Sequence, residues 1–191
     1  MKKLPLPFCL FMLVVCLPCT VDAQDGPLRL GVAGLSHGHI AEVEKRVGRG
    51  DFIVVGIAEK DAGLLESNSL ARSSDPSILF SDISEMVAET RPEAVIAFGS
   101  VYDHMEVVES CAPLGIDVMV EKPLAVNMKH ARRMAALARE YGILLLTNYE
   151  TTWYDTNHDV KKIVDEGGIG DIIRMNIFDG HNGPVGIGCG P

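Results

Sequence analysis

The sequence predicts a doubly wound α/β fold built on a parallel sheet. Three observations carry the expectation: short, continuously apolar runs alternate with helical patterns, the first run after residue 23 leads straight into a glycine-bearing turn, and later runs end in charged side chains. Continuous hydrophobicity suits a strand covered by helices on both faces, whereas a half-exposed strand alternates polar with apolar residues. Strands and helices in alternation then imply right-handed crossovers within one sheet.

The chain opens with Lys2 and Lys3, an apolar run over residues 8–17 and a small-residue exit at Val21-Asp22-Ala23. This pattern reads as a signal peptide over residues 1–23, because the run is too short to span a bilayer. Export to a periplasm or beyond the cell is expected, with a membrane anchor if the leader stays uncleaved and no other membrane association. Cys16 and Cys19 lack the preceding small residue that a lipidation site needs. Only Cys111 and Cys189 remain after the leader, and no disulfide framework follows from them. A formal net charge of −9 disfavours nucleic acid and anionic surfaces as partners and suits a small polar ligand.

Strands are expected at residues 28–33, 52–58, 78–80, 94–98, 117–120 and 143–147. Among the helices between them, one begins with Asn127 as cap, places Ala131, Met134, Ala135 and Ala138 on one face, and ends at Gly142. Asp82 with Glu85 makes a capping-box start for another. Val107, Val108 and Cys111 fall at core spacing on a third, which makes Cys111 a buried thiol rather than a reactive one.

The first strand runs into "GVAGLSHGHI", so the strand-to-helix turn carries Gly34, Leu35, Ser36, His37, Gly38 and His39. A dinucleotide pyrophosphate suits such a turn, where glycine permits close backbone approach and free N–H groups face the ligand. The glycine fingerprint is incomplete: Ser36 and His39 stand at its second and third glycine positions. The second strand ends at Ala58-Glu59, where a carboxylate can accept hydrogen bonds from the adenosine ribose. A nearby 2′-phosphate would cost up to about 4 kcal/mol at intermediate dielectric, which favours NAD over NADP. Lys60 softens that preference, and a solvated surface carboxylate is the alternative for Glu59. His37 and His39 offer two metal ligands with no third evident nearby, so no metal is expected. His158 and His181 read as surface or loop positions and are assigned no role.

The stretch "GIDVMVEKPLAVN" places Glu121-Lys122-Pro123 at the end of a strand, where open α/β sheets bind ligands. With the turn, Glu59, "VYDHMEVVESCAPLGIDVMVEKPL", "LLLTNY" and "GGIGDIIRM", the chain resembles the Gfo/Idh/MocA oxidoreductase family from Leu28 to about Asp179. The resemblance implies a Rossmann domain over residues 24–148. It implies that the turn from Gly34 to His39 holds the pyrophosphate and Glu59 the ribose. Phe98, Gly99, Ser100, His104, Glu121 and Asn148 would border the cofactor, most of them at its nicotinamide half. Lys122, taken as a buried lysine, would bond a substrate hydroxyl and assist its proton transfer; a Glu121–Lys122 surface salt bridge is the alternative. The resemblance also implies a cis peptide bond before Pro123, with a trans turn proline as the alternative.

Residues 149–191 are expected to hold a linker helix and the start of a second, α+β substrate domain, with one strand over residues 171–178. The family's aspartate–histidine motif is not present, so the chain reads as truncated and inactive alone. The implied activity is hydride transfer between NAD and a sugar, inositol or related polyol. An NAD-dependent glycoside hydrolase and a non-catalytic nucleotide-binding protein are the alternatives, and a homo-oligomer remains open for the intact protein.

Overall fold

The computed structural model describes residues 26–178; the leader at residues 1–23, Cys189, His181 and the tail beyond Phe178 lie outside them. Six strands, β1 (Leu28–Ala33), β2 (Phe52–Ala58), β3 (Leu79–Phe80), β4 (Ala94–Ala97), β5 (Asp117–Glu121) and β6 (Leu145–Asn148), form one sheet in the order 3-2-1-4-5-6. Every pairing is parallel. The connecting helices are α1 (Ile40–Glu44), α2 (Ala62–Ser67), α3 (Ser69–Ser73), α4 (Ile83–Thr90), α5 (His104–Cys111), α6 (Met128–Tyr141) and α7 (Asp155–Asp165). The strand order reverses between β1 and β4, which opens a crevice at their carboxyl ends.

The core lies in two layers, one on each face of the sheet. Val87, Val108, Met134, Val118 and Val120 pack on one side, beneath α4, α5 and α6. Val32, Leu35, Ile40, Ile57, Leu70 and Phe98 pack on the other, beneath α1 and α3. Alternate residues of β1 feed alternate layers, which is why the strand had to be apolar throughout.

Local signals behave as their chemistry requires. Asp82 caps α4 by accepting the Glu85 amide, and Asn127 caps α6 by accepting the His130 amide. Gly142 closes α6 in the left-handed conformation, at φ 71°, and the amide of Ile143 reaches back to the Ala138 carbonyl. That closure uses Ile143, so the last strand begins at Leu145 rather than at residue 143. The third strand shortens similarly: Asp75 accepts the Ser77 amide and turns Pro76–Ile78 into a 3-10 helix.

The strand expected over residues 171–178 does not form. A strand exists only through its neighbour's hydrogen bonds, and no described residue pairs with this segment. Ile173 and Phe178 are almost wholly exposed there.

Cys111 is fully buried, and burial pushes its thiol up to about 12. The thiolate fraction near pH 8 is then on the order of one in ten thousand. Peptide mapping after iodoacetamide treatment should find Cys111 unmodified in native protein and modified in denaturant; native labelling would show that the α5 layer opens.

Candidate functional site

The turn after β1 closes against the end of β4. Gly34 has φ 80°, and a Cβ built on it would lie 2.4 Å from both the Cα and the amide nitrogen of Gly99. Its amide donates to the Ala58 carbonyl at 2.8 Å, while Ser36 Oγ and the His37 amide donate to the Phe98 carbonyl. The turn is thus fastened to β2 and β4 together. The amides of Ser36 and Gly38 find no acceptor among the described residues. With α1 only five residues long, these amides, rather than a helix dipole, are what the turn offers an anion.

Beside the turn lies a groove of about 170 Å³, bordered by Gly34, Ser36, Glu59, Ser81, Gly99 and Ser100. Glu59 is 9% exposed, which corrects the alternative of a solvated carboxylate. Its Oε2 accepts the Leu35 amide at 2.7 Å and its Oε1 the Asp61 amide at 2.9 Å. Each oxygen retains a lone pair for a further donor. Lys60 bonds Glu106 at 2.7 Å on the groove's border, and that bond raises its pKa. The groove fits a nucleotide's demands: a backbone too close for any Cβ, open amides and a held carboxylate at one strand-end edge.

His104 also borders this groove, fully buried, with Nδ1 against the Leu124 carbonyl at 3.2 Å. Burial holds it below the ordinary 6.5, against the opposing pull of the Leu124 carbonyl, Glu121 and Asp103. The unfolded chain therefore takes up this proton first. Its contribution to stability is present above about pH 6.5 and is lost as pH falls from there through the folded-state value. Urea midpoints should drop as pH falls below about 6.5, and His104→Leu should flatten that slope. An unchanged slope would remove His104 from the acid response.

A second group gathers around Glu121, which is 1% exposed. Its Oε1 meets His39 Nδ1 at 2.8 Å and accepts from Asn148 Nδ2 at 2.6 Å, and its Oε2 accepts the Lys122 amide at 3.1 Å. His37 Nδ1 stands 4.0 Å from the same Oε1, and burial lowers the pKa of His37. The other ring nitrogen of His39 meets Glu150 Oε2 at 3.0 Å. No third ligand is evident near His37 and His39 in the sequence, and the fold brings one to them from 82 positions beyond His39, the carboxylate of Glu121. This group opens toward a wider concavity of about 760 Å³ over the strands, bordered by His39, Asn148, Glu150 and Trp153.

The residues singled out in the sequence thus divide. Gly34, Ser36, Glu59, Gly99, Ser100 and His104 share the groove, whereas His37, His39, Glu121 and Asn148 form the second group. Leu35 and Phe98 have side chains buried in the core layer, so each presents only backbone to a ligand. Lys122 corrects two expectations. It is exposed rather than buried, and it makes no ion pair with Glu121 among the described residues, because Glu121 points inward to His39 and Asn148. The Lys122–Pro123 peptide is cis. Glu150 was missed in the sequence; its position two residues beyond Asn148 was the one available signal.

Comparison with known proteins agrees with this geometry. Residues 28–149 match the family described as "Oxidoreductase family, NAD-binding Rossmann fold". A 1,5-anhydro-D-fructose reductase of Ensifer adhaerens is 28% identical over 121 residues, 63% of this chain and 34% of the relative. A trans-1,2-dihydrobenzene-1,2-diol dehydrogenase of Bos taurus is 26% identical over 159 residues, 81% and 46% respectively. The chain spans less than half the length of these relatives. Among solved structures, scyllo-inositol dehydrogenase from Lactobacillus casei with bound NAD(H) and scyllo-inositol shares the fold at TM-score 0.63 and 19% identity, covering 76% of this chain and 43% of that one. Myo-inositol 2-dehydrogenase from Lactobacillus plantarum does so at TM-score 0.65 and 22% identity, covering 77% and 43%.

Proposed function

Because the chain belongs to the Gfo/Idh/MocA oxidoreductase family and carries its NAD-binding Rossmann domain, we propose that it binds NAD at the groove beside Gly34 and serves hydride transfer to or from a sugar, inositol or related polyol. The observation that carries this reading is Glu59, buried at the end of β2 with both oxygens held by backbone amides and lone pairs left for the ribose hydroxyls. When bound, the nicotinamide supplies or accepts the hydride. The turn from Gly34 to His39 holds the pyrophosphate through the amides of Ser36 and Gly38. NAD is favoured over NADP because Glu59 repels a 2′-phosphate and Glu106 already occupies Lys60.

Gly99, Ser100 and His104 border the cofactor, with Phe98 contributing its backbone. Asn148 holds Glu121, which in turn receives the Lys122 amide and so sets where Lys122 leaves the sheet. An exposed ammonium at this strand end is placed to bond a substrate hydroxyl and assist its proton transfer. A polyol is supported by the reductase and inositol dehydrogenase relatives. Residues 1–23 act as the export leader, residues 24–148 as the cofactor domain, and residues 149–191 as the approach to a substrate domain.

Calorimetric titration should show NAD binding the chain more tightly than NADP, with no sustained turnover of polyols by this chain alone, since no described residue covers the exposed Lys122 or excludes water around it. Tighter NADP binding would overturn the cofactor assignment. Joined to the second domain of a related dehydrogenase, the chain should turn over. Lys122→Ala should then lower kcat by about two to four orders of magnitude while leaving NAD affinity within about twofold. Full activity of that variant would remove Lys122 from the reaction.

A further inference from the structure

We propose that His37, His39 and Glu121 form a binding site for a zinc-like divalent cation at the carboxyl ends of β1 and β5. One ligand atom from each residue lies within 4.8 Å of the others. Around Glu121 Oε1, His39 Nδ1 stands at 2.8 Å and His37 Nδ1 at 4.0 Å. Ligands about 2.1 Å from a tetrahedral zinc are about 3.4 Å from one another. The observed distances straddle that edge, and displacements of about half an ångström bring both to it.

The surrounding hydrogen bonds are those that ligands of a metal receive. His39 has a carboxylate against each ring nitrogen, Glu121 at Nδ1 and Glu150 at Nε2. A neutral imidazole has one proton and donates to only one of them. With a cation on Nδ1 and the proton on Nε2, both contacts become favourable, and Glu150 completes the carboxylate–histidine–metal arrangement that orients a ligating ring. Glu121 is held in place by Asn148 and by the Lys122 amide. The competing contact at His37 Nδ1 is the His39 amide at 3.2 Å, a long bond that the cation displaces.

The donor set selects the ion. Two imidazoles and one carboxylate suit zinc and its late first-row neighbours, whereas magnesium and calcium prefer oxygen throughout. Three protein ligands leave a fourth position for water or another oxygen ligand. His37, His39 and Glu121 lie outside the lining of the Glu59 groove, while the two histidines belong to the same turn that is proposed to hold the pyrophosphate.

The test uses the full chain, freed of metal and titrated with Zn²⁺ against a chromophoric chelator, then with Co²⁺ followed in the visible region. One equivalent of Zn²⁺ should bind with Kd below about 10 µM. The Co²⁺ spectrum should show the d–d bands of a low-coordinate nitrogen–oxygen site without thiolate charge transfer, which separates it from the cysteines. His37→Gln and His39→Gln should each weaken Zn²⁺ by more than about a hundredfold, and Glu150→Gln by about ten- to a hundredfold. Glu150 is exposed, so its variant keeps the test available if a ligand variant fails to fold by circular dichroism. Binding weaker than about 10 µM, a thiolate band, or affinities that the histidine and Glu150 variants leave within about threefold overturn the site. NAD titration of the metal-free chain separates the readings: retained NAD affinity with no Zn²⁺ binding sinks the cation site alone.

Discussion

Gly34→Ala is expected to cost the domain about 3 kcal/mol or more and to weaken NAD binding by more than tenfold. Two penalties combine. A left-handed conformation costs a non-glycine residue about 1–2 kcal/mol, and at φ 80° the new methyl would meet Gly99 backbone at 2.4 Å. Backbone cannot swing aside as a flexible side chain does, so β1 and β4 must part at the place where the ligand groove begins. Thermal unfolding should fall by about 6–12 °C for a domain of this size. Gly99→Ala is the matched control, because its Cβ would meet Asp103 at 3.5 Å and Gly34 Cα at 3.6 Å, both ordinary contacts. It should cost less than about 1 kcal/mol. Equal losses in the two variants would show that the approach at Gly34 is not the cause.

Glu59→Ala is expected to lose about 3 kcal/mol or more, together with most of the NAD affinity. The carboxylate accepts from the Leu35 and Asp61 amides, and bonds to a charged group contribute about 1.5–3 kcal/mol each. The Leu35 amide lies in a buried setting and would be left without an acceptor. Glu59→Gln keeps one acceptor oxygen and should lose roughly half as much. Glu59→Arg exchanges the ribose acceptor for a cation that can pair with a 2′-phosphate, and it supplies no acceptor to the two amides at all. It should narrow the NAD-to-NADP ratio while destabilising the fold, so the two effects must be read separately by urea unfolding and by calorimetry. A fully stable Glu59→Ala protein would mean that water satisfies both amides.

Much of this architecture was legible in the residues. β1 and β2 have the boundaries their apolar runs indicate, and Asp82, Asn127 and Gly142 start and stop helices as expected. The glycine of the turn and the acid at the end of β2 were also identifiable, as was the family. These features depend on contacts within a few positions along the chain: a cap to its third amide, a glycine to its own φ, a strand to continuous hydrophobicity. Where a local competitor won, the boundary moved, as at Asp75 with the Ser77 amide. Where an element needed a distant partner, as over residues 171–178, local pattern was insufficient.

The chemistry of the site was not legible in the same way. Nothing near His39 in the chain indicates that its ring meets Glu121 and Glu150 at once, or that Glu121 turns inward and leaves Lys122 exposed. Those relations follow from the sheet order, which sets β1 and β5 on either side of β4 and brings their carboxyl ends to one edge. Helix periodicity and turn chemistry act over a few residues and can be read one segment at a time. Which carboxylate oxygen faces which ring nitrogen depends on the register of strands far apart in the chain, and that register is established only when the two core layers pack.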